Sequence, residues 1–235
     1  MKTRKTLLLW LSLACATFSI QAQGTFQNLG FELANVPDVP NGQSGGSVAT
    51  ADGIPSWTAF YAFNQTTQIL HNDFSVGSVN ISVLGPNWNG SFGLSIPDGN
   101  YCVILQAGAG ATGAESAAIA QTGVVPSAAQ SLQFKAYRSN PNSEFGITIG
   151  GQNIAMIPLF QTANYTLYGG DISVFANQSV ELKIAAVPTS SFAFSTVTID
   201  SIVFSSQSVP EPDALGLVAL GGLLLGGQLR KRSRL

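Results

Sequence analysis

Leu132, Phe134 and Ala136 alternate with Gln133 and Lys135, and Val180, Leu182 and Ile184 alternate with Glu181 and Lys183. Successive side chains of a strand point to opposite faces, so a period of two with the charges in one phase describes a strand with one face in a core and one in water. Runs of the same kind, rich in Val, Ile, Phe, Tyr and Thr, recur at Val79–Leu84, Tyr101–Gln106, Ala117–Gln121, Phe145–Ile149, Tyr165–Tyr168 and Thr196–Phe204. Gly, Pro, Asn and Asp separate them, as turn residues separate strands. Gly150-Gly151 between two runs reads as a tight hairpin turn. Ala107–Ala120 carries Gly108, Gly110 and Gly113, which argue for a loop rather than a helix. Eight or more strands at this spacing predict an all-β chain folded as a single β-sandwich.

In the last strand Val197 and Ile199 share one phase while Ile202 and Phe204 share the other. The slip falls at Asp200 and predicts a β-bulge that re-aims its carboxylate.

The two ends are of different material. Lys2, Arg4 and Lys5 precede the apolar run Leu7–Leu13 and then small residues, the pattern of a secretory signal peptide over residues 1–22. Cleavage is expected after Ala22, or after Ala16 by the Ala14-Cys15-Ala16 pattern. Residues 208–235 hold Val209-Pro210-Glu211-Pro212, an apolar glycine-dotted stretch at 214–229, and Arg230-Lys231-Arg232-Ser233-Arg234. Each proline lacks an N–H and fixes φ, so helix cannot propagate back through the motif. The apolar stretch falls just short of the roughly 20 residues that span hydrocarbon, which suits a temporary hold. The basic cluster is expected to stay on the cytoplasmic side.

This tail resembles the PEP-CTERM sorting tail of exported bacterial proteins. The resemblance implies a Gram-negative host and passage through the inner membrane. It also implies processing at Val209, Pro210, Glu211 and Pro212 by an exosortase-type membrane transpeptidase, then release or attachment at the cell surface.

Between the ends, residues 23–207 form the expected sandwich domain, long enough for one sizeable core. Up to residue 209 this body keeps Lys135, Arg138 and Lys183 against ten acidic residues, a net charge near −7. Nucleic-acid binding needs a basic footprint on the phosphates, so that partner class is excluded. Cys102 is the one cysteine left after signal removal, in the apolar run Tyr101–Leu105, and reads as a buried inert thiol.

The order of short motifs in the body is similar to galactose-binding-like jelly rolls, carbohydrate-binding modules among them. The motifs are Asn28-Leu29-Gly30-Phe31-Glu32, Ile54-Pro55-Ser56-Trp57, Asp98-Gly99-Asn100 before Tyr101–Gln106, and Ile199-Asp200-Ser201-Ile202 at the end. The resemblance implies that Glu32 and Asp200 lie side by side as ligands of a structural calcium ion; calcium takes six to eight hard oxygens, carboxylates among them. The alternative is that Glu32 caps a turn and Asp200 is a strand-edge charge. Trp57 stands in the family-like position of a core tryptophan.

No catalytic residue is identified. Zinc and Ser-His-Asp chemistry would both need His71, which stands in a polar stretch without a nucleophile motif and reads as a surface histidine. The expected role is therefore non-enzymatic. Sugar sites join exposed aromatics to polar side chains, and the candidates are Trp57, Tyr61, Trp88 with Asn87 and Asn89 in a Gly/Pro/Asn loop, and Arg138 beside Asn140 and Asn142. Trp88 is the foremost contact among them, and Trp57 reads rather as a core residue. The expected function is glycan binding in the cell envelope or extracellular polymer. A passive structural component of that polymer or of a biofilm matrix is the alternative. A polysaccharide hydrolase is the second, and would need two carboxylates facing each other across a cleft.

Overall fold

The computed structural model describes residues 24–209 apart from 74, 91–92 and 190–193. The signal peptide and the tail from Pro210 onward lie outside the described residues. Among the described residues the strands in chain order are β1 (Gly46–Ala49), β2 (Thr58–Tyr61), β3 (Asn64–Thr66), β4 (Gln68–His71), β5 (Asn80–Leu84), β6 (Cys102–Gly110), β7 (Gly113–Glu115) and β8 (Ala117–Val124). They continue as β9 (Ser131–Arg138), β10 (Glu144–Ile149), β11 (Gln152–Asn153), β12 (Ile157–Gln161), β13 (Thr166–Asp171), β14 (Ser179–Val187) and β15 (Ser195–Ser205).

Two sheets face each other. The larger runs β1-β4-β5-β6-β15-β9-β13-β12, with β7 attached to β6, and the smaller runs β11-β10-β14-β8-β2-β3. Every pairing is antiparallel except β4 with β5. The chain is an all-β sandwich, as the alternating runs predict.

The core is built by one phase of each strand. Leu132, Phe134 and Ala136 of β9, Val103 and Leu105 of β6, Val197 and Ile199 of β15, and Leu182, Ile184 and Ala186 of β14 all belong to one buried cluster. In it β14 of the smaller sheet lies against β6 and β15 of the larger. Trp57 belongs to this core; its ring centroid lies 5.7 Å from that of Phe31, and its indole N–H donates to the Asn28 carbonyl at 3.0 Å.

The middle of the larger sheet is covered on its outer face too. Leu94 joins Leu84, Cys102 and Ile104 in a second apolar cluster, with Trp88, Ile96 and Tyr137 packed against it. That cover explains why β6 is buried almost along its whole length rather than alternately. It also makes Cys102 inert: burial first, then the charges of Asp200 and Glu32, push its thiol pKa up.

Two expectations are corrected. Residues 107–115 are not a loop: β6 continues to Gly110, turns at residues 111–112 and returns as β7. A Cβ on Gly108 would lie 2.5 Å from the Gly77 carbonyl oxygen, so this glycine permits close backbone approach instead of breaking the strand. His71 is not a surface histidine. It ends β4 with 2 % of its surface exposed, packed on the Cα of Gly45, and burial holds its pKa below the usual value against the opposing charge of Asp38.

Candidate functional site

Two places in the fold gather polar side chains. The first is a clamp on the turn that leads into β6. Asp98, Gly99 and Asn100 form this turn, with Gly99 at φ +59°. Glu32 closes it from one side: its Oε1 accepts the N–H groups of Asn100 at 2.9 Å and Tyr101 at 3.1 Å, and its Oε2 accepts from Asn100 Nδ2 at 3.3 Å. Asp200 closes it from the other. Its Oδ2 accepts the Asp98 N–H at 2.9 Å and its Oδ1 that of Ser201 at 2.5 Å.

The sequence positions both carboxylates. Glu32 follows a turn in which Asn28 and Phe31 hold positive φ, and the Leu29 carbonyl of that turn accepts the Ile202 N–H at 2.9 Å. Asp200 stands at the register shift between β15 and β9, the bulge its broken alternation predicts, and Ser201 there has φ +49°. Asp98 in turn accepts Lys135 Nζ at 2.6 Å and Ser201 Oγ at 3.1 Å. The lysine bond is the main reason its carboxyl lies below the usual carboxylate range. Asp200 is 1 % exposed, and burial pushes its pKa up to about 7 against the two N–H bonds, with the charge of Asp98 raising it further.

The structure thus brings Glu32 and Asp200 to one turn. Every carboxylate oxygen of the pair already accepts an N–H bond, a partially positive partner in the place a cation would take. Among the described residues no three His, Cys, Asp or Glu side chains are grouped to hold a metal ion. As arranged, the side chains fit a hydrogen-bonded clamp and do not by themselves supply the oxygen shell calcium takes. Gly99→Ala tests the clamp, because the added Cβ would stand 2.2 Å from Glu32 Oε1 at a φ that only glycine adopts freely. We expect it to cost about 1–3 kcal/mol in urea unfolding; an unchanged midpoint would show that the turn bears no load.

The second place is a cleft of about 830 Å³ at the end of the sandwich. Its walls come from the end of β9 (Tyr137, Arg138), the start of β10 (Glu144, Phe145), β12 and the turn after it (Pro158, Gln161, Thr162), and β13 (Thr166, Tyr168), with Tyr165 beside them. The floor rests on packed aromatics. Phe145 and Tyr168 meet edge-on at 5.0 Å, and both rings pack on buried Phe134, at 5.6 Å and 6.0 Å.

The 139–143 turn beside Arg138 is held from several sides. Asn140 Oδ1 accepts the Asn142 N–H at 2.9 Å, Ser143 Oγ accepts the Thr196 N–H at 3.1 Å, and Ser195 Oγ accepts the Glu144 N–H at 3.1 Å. Tyr165 is fixed from above, with Lys135 Nζ 5.2 Å from its ring centroid.

No family model matches the chain, and no curated protein does. Among solved structures, the chain is similar to TmCBM61, solved in complex with beta-1,4-galactotriose. The match has 11 % identity, covers 77 % of this chain and 97 % of that one, and has a TM-score of 0.45.

The residues singled out from sequence as ligand contacts separate. Arg138 lines the cleft. Trp88, Asn87 and Asn89 do not; they sit in the loop over the outer face of the larger sheet. Trp88 is half-buried against the second apolar cluster, and its indole N–H donates to the Leu94 carbonyl at 2.8 Å. Asn87 ties the loop to its neighbour through Nδ2 to the Val39 carbonyl at 3.0 Å, and Asn89 lies beside Gly42. Tyr137 lines the cleft and also packs against the cluster that holds Trp88.

Tyr165, Tyr168 and Phe145 were legible as strand residues but not as a site. The one local signal was the density of aromatics between 137 and 168, in a chain where they make up 9 %.

Proposed function

We propose that this chain is an exported, non-enzymatic glycan-binding β-sandwich of the cell envelope or extracellular polymer, and that the glycan lies in the cleft between Arg138 and Tyr165. The observation that carries the reading is the cleft's construction. The aromatic residues Phe145, Tyr165 and Tyr168 line it, while Arg138, Glu144, Gln161, Thr162 and Thr166 offer charged and neutral hydrogen-bonding groups around it. A pyranose has the same two-sided character, with C–H faces that lie on aromatic rings and hydroxyls around its edge.

Among the described residues Glu144 is the carboxylate of this lining, where acid–base hydrolysis of a glycosidic bond would place two. Delivery follows the ends of the chain: signal-peptide export, a transient hold in the inner membrane by residues 214–229, and processing at Val209-Pro210-Glu211-Pro212 by an exosortase-type transpeptidase. Calcium held by Glu32 and Asp200 is the competing account of the turn clamp.

Retention of the protein on a panel of bacterial and plant polysaccharides tests the cleft. Tyr165→Ala is expected to weaken retention about tenfold or more, the equivalent of roughly 1.4 kcal/mol of lost ring contact. Trp88→Ala is expected to lower thermal stability while retention persists. The reverse pattern, with Trp88→Ala abolishing retention and Tyr165→Ala leaving it intact, would move the site to the outer face. Retention on nothing by a folded protein favours the passive matrix component instead.

A further inference from the structure

The body is poor in cations, and their placement is uneven. Lys135, Arg138 and Lys183 are its basic residues. Lys135 is paired with Asp98 at 2.6 Å. Lys183 lies on the smaller sheet with its Nζ 5.2 Å from the Phe60 ring centroid. Arg138 alone faces the cleft. Among the described residues no carboxylate lies within ion-pair distance of it, Glu144 included, although Glu144 lines the same cleft.

Its guanidinium makes a long contact, from Nη1 to the neutral Ser143 carbonyl at 3.4 Å, within the turn that holds it. A guanidinium carries five N–H donors in a planar fork whose matched partner is a carboxylate, taken two bonds at a time. A net charge near −7 offers the chain acids enough to neutralise Arg138 internally, yet the fold leaves this one charge open toward the cleft.

We propose that the cleft selects an acidic glycan, with the Arg138 guanidinium pairing the carboxylate of a hexuronic acid unit that lies on the tyrosine rings. The inference rests on the glycan-binding reading of this cleft and narrows it to a substrate class. A hexuronate carries its carboxylate on C5 and its hydroxyls on the opposite edge of the ring. It can therefore present the acid to Arg138 while Glu144, Gln161 and Thr162 take the hydroxyls. Lys135, over the Tyr165 ring, adds positive potential beside the cleft although Asp98 holds it.

The test uses matched polymers and the full chain in detergent. Affinity electrophoresis is run through polygalacturonate and alginate, and through the same two polymers after chemical reduction of their carboxyl groups, which removes the charge and keeps the linkage. The expected result is retardation by at least one acidic polymer, at least about tenfold weaker on its reduced form. Retardation by the acidic polymer should weaken as NaCl rises, because an exposed charge pair is screened.

Arg138→Ala should lose the acidic preference, and Arg138→Lys should restore only part of it, since an ammonium is a point charge without the fork. Arg138 is exposed, so both variants should unfold at the wild-type temperature, and this is measured alongside. Equal retardation by the acidic and reduced polymers, unaffected by Arg138→Ala, would overturn acid selection and leave a neutral glycan reader. Retardation by none of the four, together with none across the wider neutral panel, would overturn glycan binding as well.

Discussion

Replacing Phe134 by alanine is expected to lower stability by about 3–5 kcal/mol and to disable the cleft at the same time. Phe134 is fully buried in β9, and its ring supports Phe145 at 5.6 Å and Tyr168 at 6.0 Å, both of which line the cleft. Removing it leaves a void that a close-packed interior fills only in part, so both rings lose a wall of contacts. Domains of this size are stable by about 5–15 kcal/mol, so the variant should still fold, with a melting temperature lower by roughly 10 °C. Phe134→Leu keeps most of the volume and should cost about 1–2 kcal/mol. The two variants together separate support of the site from stability. If Phe134→Ala retains full polysaccharide binding at a temperature where it is folded, the aromatic floor is not what shapes the site.

The residues differ in how openly they announce this architecture. β9 and β14 are plain in the sequence because each has an apolar face and a charged one, and the bulge in β15 is plain because Asp200 stands where the alternation changes phase. β1 and β3 are hidden. Gly46-Ser47-Val48-Ala49 and Asn64-Gln65-Thr66 are short edge strands with little apolar face, and what makes them strands is a partner strand already in place.

The glycines of residues 108–113 mislead for a related reason. Glycine marks a loop in isolation but also marks close approach of two backbones, and only the sheet tells which applies. Glu32 and Asp200 were traceable to one place by motif order, whereas the bonds their oxygens make depend on the path of the 98–101 turn. The cleft is the least legible feature. Its walls lie on β9, β10, β12 and β13, and Arg138 and Tyr168 line one cleft only because β13 pairs with β9. Trp88 drew attention as a tryptophan in a polar loop, but that loop folds down on Leu84, Leu94, Cys102 and Ile104 and takes much of the ring with it.

Stability should fall as pH rises from 5 to 8 when calcium is chelated, and Asp200→Asn should remove that fall. In the unfolded chain Asp200 ionises near its ordinary value of 3.8, whereas in the fold, mainly through burial, it ionises at about 7. Between those values the native state holds a proton the unfolded state has released, so raising the pH favours unfolding, and above 7 the full cost is present. The interval corresponds to an upper bound on the order of 4 kcal/mol.

Other groups do not mimic this. Asp98 is shifted down, so its contribution is lost only as pH falls below the ordinary carboxylate range. His71 is also shifted down, so its contribution rises with pH through about 6.5 and opposes the trend. The measured quantity is therefore the difference between wild type and Asp200→Asn in urea midpoints across the pH series, in which His71 cancels. The amide keeps one oxygen for a single N–H bond, so the variant loses part of the clamp at every pH and gains relative to wild type only as pH rises. Calcium bound by Glu32 and Asp200 predicts the reverse. The ion would hold Asp200 ionised in the native state, wild-type stability in added calcium would increase with pH, and Asp200→Asn would abolish the gain. A slope that keeps its sign with and without calcium leaves the N–H bonds of the turn as the work of these two carboxylates.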